Sequence, residues 1–208
     1  MNYLFLISQN YSFEILRPIQ QEAVKRGAQI LWFVYRDTVD TTRFAANEIF
    51  TTDVREAIRF NPDACFAPGN LAPSFVPGLK VQVFHGLERK KKGHFRIRDC
   101  FDLYCTQGSL FTEKFEALAQ KHGNFDVIET GWPKLDGLFS SPPLEIEAKG
   151  KPVILYAPTF SPSLTSVEHL YDQIKDLRNK DWVWLVKFHP KMASEWVEKF
   201  RDLQNDHF

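Results

Sequence analysis

Four short segments hold most of the polar chemistry in this chain, and each closes an apolar run. Upstream lie Val81-Gln82-Val83-Phe84-His85-Gly86 and Thr130-Gly131-Trp132-Pro133-Lys134-Leu135-Asp136. Later come Ile154-Leu155-Tyr156-Ala157-Pro158-Thr159-Phe160 and Trp184-Leu185-Val186-Lys187-Phe188-His189-Pro190. The apolar parts read as buried strands; the His, Gly, Pro, Ser and Thr that follow read as loops. In α/β proteins the loops at the carboxyl ends of strands carry binding and catalysis. Four such loops point to an enzyme rather than a scaffold.

Each segment has its own chemistry. At a strand's end, the His85 imidazole can take a proton from an acceptor hydroxyl, and Gly86 lets the backbone turn or approach a ligand closely. Gly131 and Pro133 stand at an expected helix start, where free amides suit phosphate oxygens. Gly108-Ser109 is a weaker instance of the same arrangement, and ordinary capping explains it as well. Thr159, Ser161 and Ser163 offer hydroxyls in a loop stiffened by Pro158 and Pro162; they either bind phosphate or satisfy turns. Alternation across a strand end puts Lys187 and His189 on one side, a pairing suited to a pyrophosphate. Directly after His85-Gly86, the run 88–98 holds six Lys or Arg against one Glu. Arg89, Lys90, Lys91 and Lys92 within it are either a solvated loop or a patch for an anionic acceptor or anionic membrane surface.

The elements that must position these loops are legible as alternating strands and helices, which implies a parallel sheet. Strands are expected at Tyr3–Ile7, Gln29–Tyr35, Ala64–Ala67, Lys80–Phe84, Asp102–Thr106 and Asp126–Glu129. Helices are expected after Ser12 as cap, with Pro18 kinking or restarting it and Gly27 ending it, over Val54–Phe60 capped by Asp53, and over Leu110–Lys121. Prolines, small polar residues and charges over 140–151 read as a linker. The pattern then restarts: strand Val153–Tyr156, helix Ser166–Arg178, strand Trp182–Phe188, helix Ala193–Leu203. The expectation is a first domain over 1–139 and a second over 152–208. The second has only two strand–helix pairs, fewer than a doubly wound half needs, and so reads as truncated.

Composition narrows the class. Formal net charge is zero, so attraction to nucleic acid is not expected and any polyanion site is a local patch. Cys65, Cys100 and Cys105 are odd in number and lack CxxC spacing, against a disulfide framework or a zinc site and in favour of a reducing cytoplasm. No apolar run approaches the ~20 residues of a transmembrane helix, so membrane association is expected to be peripheral.

In this order, His85-Gly86, Thr130-Gly131-Trp132-Pro133, Leu155-Tyr156-Ala157-Pro158-Thr159-Phe160 and Lys187-Phe188-His189-Pro190 resemble the HG, TG-x-P, L-Y-A-P-T-[FW] and K-x-H-P motifs of the CDP-glycerol glycerophosphotransferase family. The resemblance covers residues 80 to 190. It implies a GT-B-like architecture, an N-terminal Rossmann-like acceptor-side domain plus a second, donor-side Rossmann-like domain. It implies transfer of glycerol phosphate from CDP-glycerol to a hydroxyl of an anionic polymer or lipid-linked acceptor, with CMP leaving and no metal or cofactor required. Such chemistry builds teichoic-acid-like polymers at the inner face of the plasma membrane. By resemblance His85 is the catalytic base, His189 contacts the donor pyrophosphate with Lys187 close by, and Thr159 lies in the donor-side loop. The chain departs from the family where Ser161-Pro162-Ser163 replaces a basic residue, and it ends before the family's later acidic, Ser/Thr-rich motif. Two alternatives stay open: a GT-B nucleotide-sugar glycosyltransferase or non-hydrolysing epimerase, and a non-catalytic fragment that binds an anionic polymer.

Overall fold

Strand β1 (Asn2–Ile7) sends apolar side chains to both faces: Leu4 and Leu6 enter one core, Phe5 and Ile7 another. This computed structural model describes residues 1–87, 93–177 and 180–204. Helix α1 (Ser12–Lys25) buries Phe13, Ile15, Leu16 and Ala23 and contains Pro18 without ending there. Ser12 is not the cap: Tyr11 holds that place, and Ser12 is the buried first residue of the helix. Gly27 has φ +79, a left-handed conformation that glycine adopts without strain, and turns the chain into β2 (Gln29–Val34). Leu31 and Phe33 of β2 join the core of Leu4, while Trp32 and Val34 join that of Phe5. A strand that buries both faces belongs in the interior of a parallel sheet.

The two-residue β3 (Phe50–Thr51) pairs with β2 and is too short for any periodicity to announce it. A two-pronged ion pair anchors its approach: Arg17 Nε and Nη2 reach Glu48 Oε1 and Oε2 at 2.9 and 2.8 Å. Helix α2 (Val54–Arg59) follows, capped by the Asp53 carboxylate accepting from the Arg55 amide at 2.7 Å. Then come β4 (Ala64–Ala67), β5 (Leu79–Val83), β6 (Leu103–Thr106), α3 (Ser109–His122), β7 (Asp126–Glu129) and the short α4 (Asp136–Ser140).

The seven strands lie in the order β3-β2-β1-β4-β5-β6-β7, every pair parallel. From β1 the chain winds outward through β2 and β3, then returns to build the other half from β4. The strand order therefore reverses between β1 and β4. In doubly wound sheets a ligand crevice opens at that point, beyond the carboxyl ends of the strands.

The chain divides into two compact units, Met1–Pro142 and Pro143–Phe208. The second contains β8 (Val153–Tyr156), α5 (Val167–Leu177), β9 (Val183–Val186) and α6 (Ser194–Arg201). β8 and β9 pair in parallel, Val153 with Val183 through Tyr156 with Val186. Val167, Ile174, Trp184, Met192, Phe200 and Leu203 form its core. Trp196 packs against Tyr171, with ring centroids 5.8 Å apart.

Candidate functional site

In the first unit, β5 runs between β4 and β6, which sets the loop after Val83 beside the loops after Ala67 and Thr106. His85 is fixed there by two neighbouring segments. Its Nδ1 lies 2.9 Å from the Pro68 carbonyl oxygen, and its ring stacks on Tyr11 at 4.9 Å, so the loops after β1 and β4 both touch it. A carbonyl only accepts, so Nδ1 carries the proton and Nε2 keeps a free lone pair. The residues on either side are braced as well. Trp132 Nε1 donates to the Phe84 carbonyl at 2.9 Å, and Gln107 Nε2 donates to the Gly86 carbonyl at 2.8 Å. Gln82, three residues before His85, donates from Nε2 to the Gly69 carbonyl at 3.0 Å. The result is a half-buried imidazole with a fixed tautomer, offering a base at the carboxyl edge of the sheet, near the switch point.

Gly131 continues β7's pairing, its amide bonding the Thr106 carbonyl at 3.1 Å, and turns with φ +79. An added Cβ would meet nothing within 4 Å, so the turn, not crowding, requires glycine here. Pro133 opens a 3-10 turn, Pro133–Leu135, that leads only into the five-residue α4. The helix start expected there is thus a turn, whereas Gly108-Ser109 does begin the full-length α3. The basic residues Arg89, Lys90, Lys91 and Lys92 lie outside the described residues.

In the second unit, β8 and β9 bring their following loops together. Phe160 stacks on the His189 ring at 4.2 Å, with Lys191 Nζ 5.8 Å from the Phe160 centroid. The Lys191 amide donates to His189 Nδ1 at 3.0 Å. That nitrogen must therefore carry the lone pair, which leaves the proton on Nε2. Thr159 is exposed between buried Pro158 and half-buried Phe160, while the Ser161 carbonyl accepts from the Leu164 and Thr165 amides at 2.9 and 2.8 Å and so starts a turn. Lys187 is exposed and borders an open groove of about 460 Å³ with Trp184, Val186 and Phe188. Phe188, between Lys187 and His189, packs on Phe200.

Cys65 and Cys105 are poor nucleophiles. Burial pushes the Cys65 thiol up to about 12 and the Cys105 thiol up to about 11. A thiol so raised holds almost no thiolate near neutrality. Among the described residues no three His, Cys, Asp or Glu side chains gather to hold a metal ion, and no helix is long and apolar enough to cross a membrane.

The sequence motifs thus point to His85, Gly86, Gly131 and His189, and the structure adds their neighbours: Tyr11, Gln107 and Trp132 around His85-Gly86, with Gln82 nearby on the Gly69 carbonyl, and Lys191 at His189. Of these, Gln82 had a signal in the sequence, a lone amide inside the apolar strand Val81-Gln82-Val83.

No family model matches the chain, and no curated protein is significantly similar to it. Solved structures are similar in fold. A structure of S. aureus MnaA with UDP matches 99% of this chain and 66% of that one, with a TM-score of 0.69 at 12% identity. The glycosyltransferase VinC with dTDP matches at a TM-score of 0.49 and 12% identity, over 100% of this chain and 70% of that one. E. coli heptosyltransferase WaaC with ADP gives 0.41 and 15%, over 100% and 73%. With its parallel sheet and the MnaA likeness, the chain is an α/β protein of GT-B-like, Rossmann-like fold, and it spans about two thirds of the length of the MnaA chain.

Proposed function

We propose that this chain is a glycerophosphotransferase that moves glycerol phosphate from CDP-glycerol to an acceptor hydroxyl. One observation carries the reading: all four motif segments end parallel strands, His85 after β5, Gly131 after β7, Thr159 after β8 and His189 after β9. In the proposed reaction the acceptor oxygen attacks the glycerol-bearing phosphorus, the bond from that phosphorus to the CMP oxygen breaks, and His85 Nε2 takes the hydroxyl proton. His189 Nε2–H, with Thr159 and Lys187 near the same strand ends, is suited to the negative charge of the departing nucleotide. The acceptor is an anionic polymer or a lipid-linked alcohol at the inner membrane face, drawn there by Arg89, Lys90, Lys91 and Lys92.

A second reading has its own support. MnaA, the neighbour that shares this fold at a TM-score of 0.69, was solved with UDP. A nucleotide-sugar glycosyltransferase or epimerase would use the same strand-end loops, because one architecture hosts many donors. A donor screen separates the two. CMP release from CDP-glycerol in the presence of a polyol phosphate acceptor is the expected result; release of UDP or GDP from sugar nucleotides, with none of CMP, would overturn it.

A further inference from the structure

An open cavity of about 380 Å³ lies where the strand order reverses between β1 and β4. Its walls come from the segments that follow three strands: Ser8 after β1, Tyr35 and Arg36 after β2, and the stretch from Gly69 to Phe75 after β4. The volume is near the lower end of the ~300–1,000 Å³ of small-molecule sites, which suits one ring with one polar group rather than a dinucleotide. Large apolar side chains stand open around it: Leu71 is 55% exposed, Phe75 44% and Tyr35 41%.

The two aromatic rings are held in place by what lies beneath them. Ala72 and Val76 enter the core on either side of Phe75, and the Val76 amide donates to the Pro73 carbonyl at 3.4 Å, so the turn that carries Phe75 is fastened at both ends. Tyr35 leans edge-on against buried Phe33, with ring centroids 6.0 Å apart. The Asn70 amide nitrogen donates to the Gly93 and Arg96 carbonyls, both at 3.3 Å, and braces the same wall. Grouped apolar exposure on fixed backbone marks a binding surface. Charge narrows the guest. Among the described residues Arg36 is the one charged group lining the cavity, and no carboxylate pairs with it. A free guanidinium offers its planar fork to a phosphate or a carboxylate.

We infer that this cavity is a binding site for a small aromatic anion, its ring against Phe75 and Tyr35 and its anionic group on Arg36. The inference rests on the first unit alone and stands whichever donor the chain uses. A nucleoside monophosphate and an aryl carboxylate both carry this chemistry.

The full chain, with ¹³C in its tyrosine rings and ¹⁵N in its histidines, is titrated with CMP and with 4-hydroxybenzoate. Cytidine and phenol supply the ring without the charge. Tyr35 is assigned by the signal lost in Tyr35→Phe. Saturable movement of that signal by CMP identifies a nucleotide, and by 4-hydroxybenzoate alone an aryl carboxylate; either supports the site. The anion that binds should do so about tenfold more tightly than its uncharged counterpart. Arg36→Gln should weaken the anion about tenfold and leave the uncharged ring as it was. Phe75→Leu should weaken both about tenfold, on the scale of one stacked ring. Both side chains are exposed, so the core is untouched, and the melting temperature checks this. Tyr35 signals unmoved by both anions, or an affinity unchanged in either variant, overturns the inference. So does a response confined to His189, which would assign the binding to the second unit.

Discussion

His85 and His189 each follow a strand, yet their surroundings fix them in opposite forms. Around His85 a carbonyl, that of Pro68, faces Nδ1, so in the neutral ring the proton is there and Nε2 carries the lone pair. Around His189 an amide, that of Lys191, faces the same atom, so the lone pair is there and Nε2 is a donor. The stacking partners are alike, Tyr11 in one case and Phe160 in the other. Residue type therefore supplies an imidazole, and the backbone group beside it decides whether that imidazole takes a proton or offers one. Two-bond ¹H–¹⁵N spectra read this directly: the Nδ1–H form is expected at His85 and the Nε2–H form at His189. The same tautomer at both would break the comparison.

The largest effect should come from removing the base. His85→Ala is expected to lower CMP release by roughly 10²–10⁴-fold with the fold intact, and His85→Gln should not restore it, because an amide is no base. Turnover near that of the wild type would make His85 a turn residue. His189→Ala should follow, with a loss of about 10²–10³-fold, the scale of one lost donor to developing charge. Here His189→Gln should recover part of the rate, since its amide can donate. If glutamine rescued His85 instead, the two roles would be exchanged.

How much of this the sequence carries differs between strands and frames. Ala64–Ala67, Asp126–Glu129 and Val153–Tyr156 match the observed strands to the residue, because each holds a short apolar stretch bounded by polar or turn residues, although only Ala64–Ala67 is mostly buried. β3 did not show, since two residues have no period, and its place depends on pairing with Trp32 and Phe33. The Ser12 hydroxyl suits a cap, but packing buries it inside the first turn and Tyr11 takes the cap position. Among the site residues, the His and Gly of each motif are visible as types. Their tautomers are not, because Pro68 stands 17 positions from His85 and only the parallel pairing of β4 with β5 brings it near.

Acid extends the comparison from the two histidines to the units that carry them. In the first unit the Glu48 side chain is 3% exposed. Burial pushes its carboxyl up, but the Arg17 fork and the Ala45 and Gln20 N–H groups outweigh that and hold it below its ordinary value of 4.5. A lowered folded value means stability that is present in full above pH 4.5 and is lost as pH falls through the folded value. In the second unit Lys151 reaches Asp181 at 3.0 Å, but the Asp181 side chain is 86% exposed. Glu48→Gln should cost about 1.5–3 kcal/mol at neutral pH, with the difference from wild type closing in acid. Asp181→Asn should cost less than about 1 kcal/mol at any pH. Amide exchange measured unit by unit checks both, and equal losses from the two substitutions would contradict the contrast.

A small expected effect is the most selective. Trp132 belongs to the segment after β7, and its indole N–H holds the Phe84 carbonyl at 2.9 Å, one residue before His85. Trp132→Phe keeps an aromatic ring there and removes only the donor, a change of about 0.5–1.5 kcal/mol. Its consequence should be local: His85 ring resonances shift while those of His189 stay, and turnover falls by no more than about tenfold. The mechanism is indirect, since Trp132 orients the chain that carries the base rather than the base itself. A Trp132→Phe protein with unmoved His85 resonances would mean that Pro68 and Tyr11 suffice to hold the ring, and the indole would then count only toward the packing of its loop.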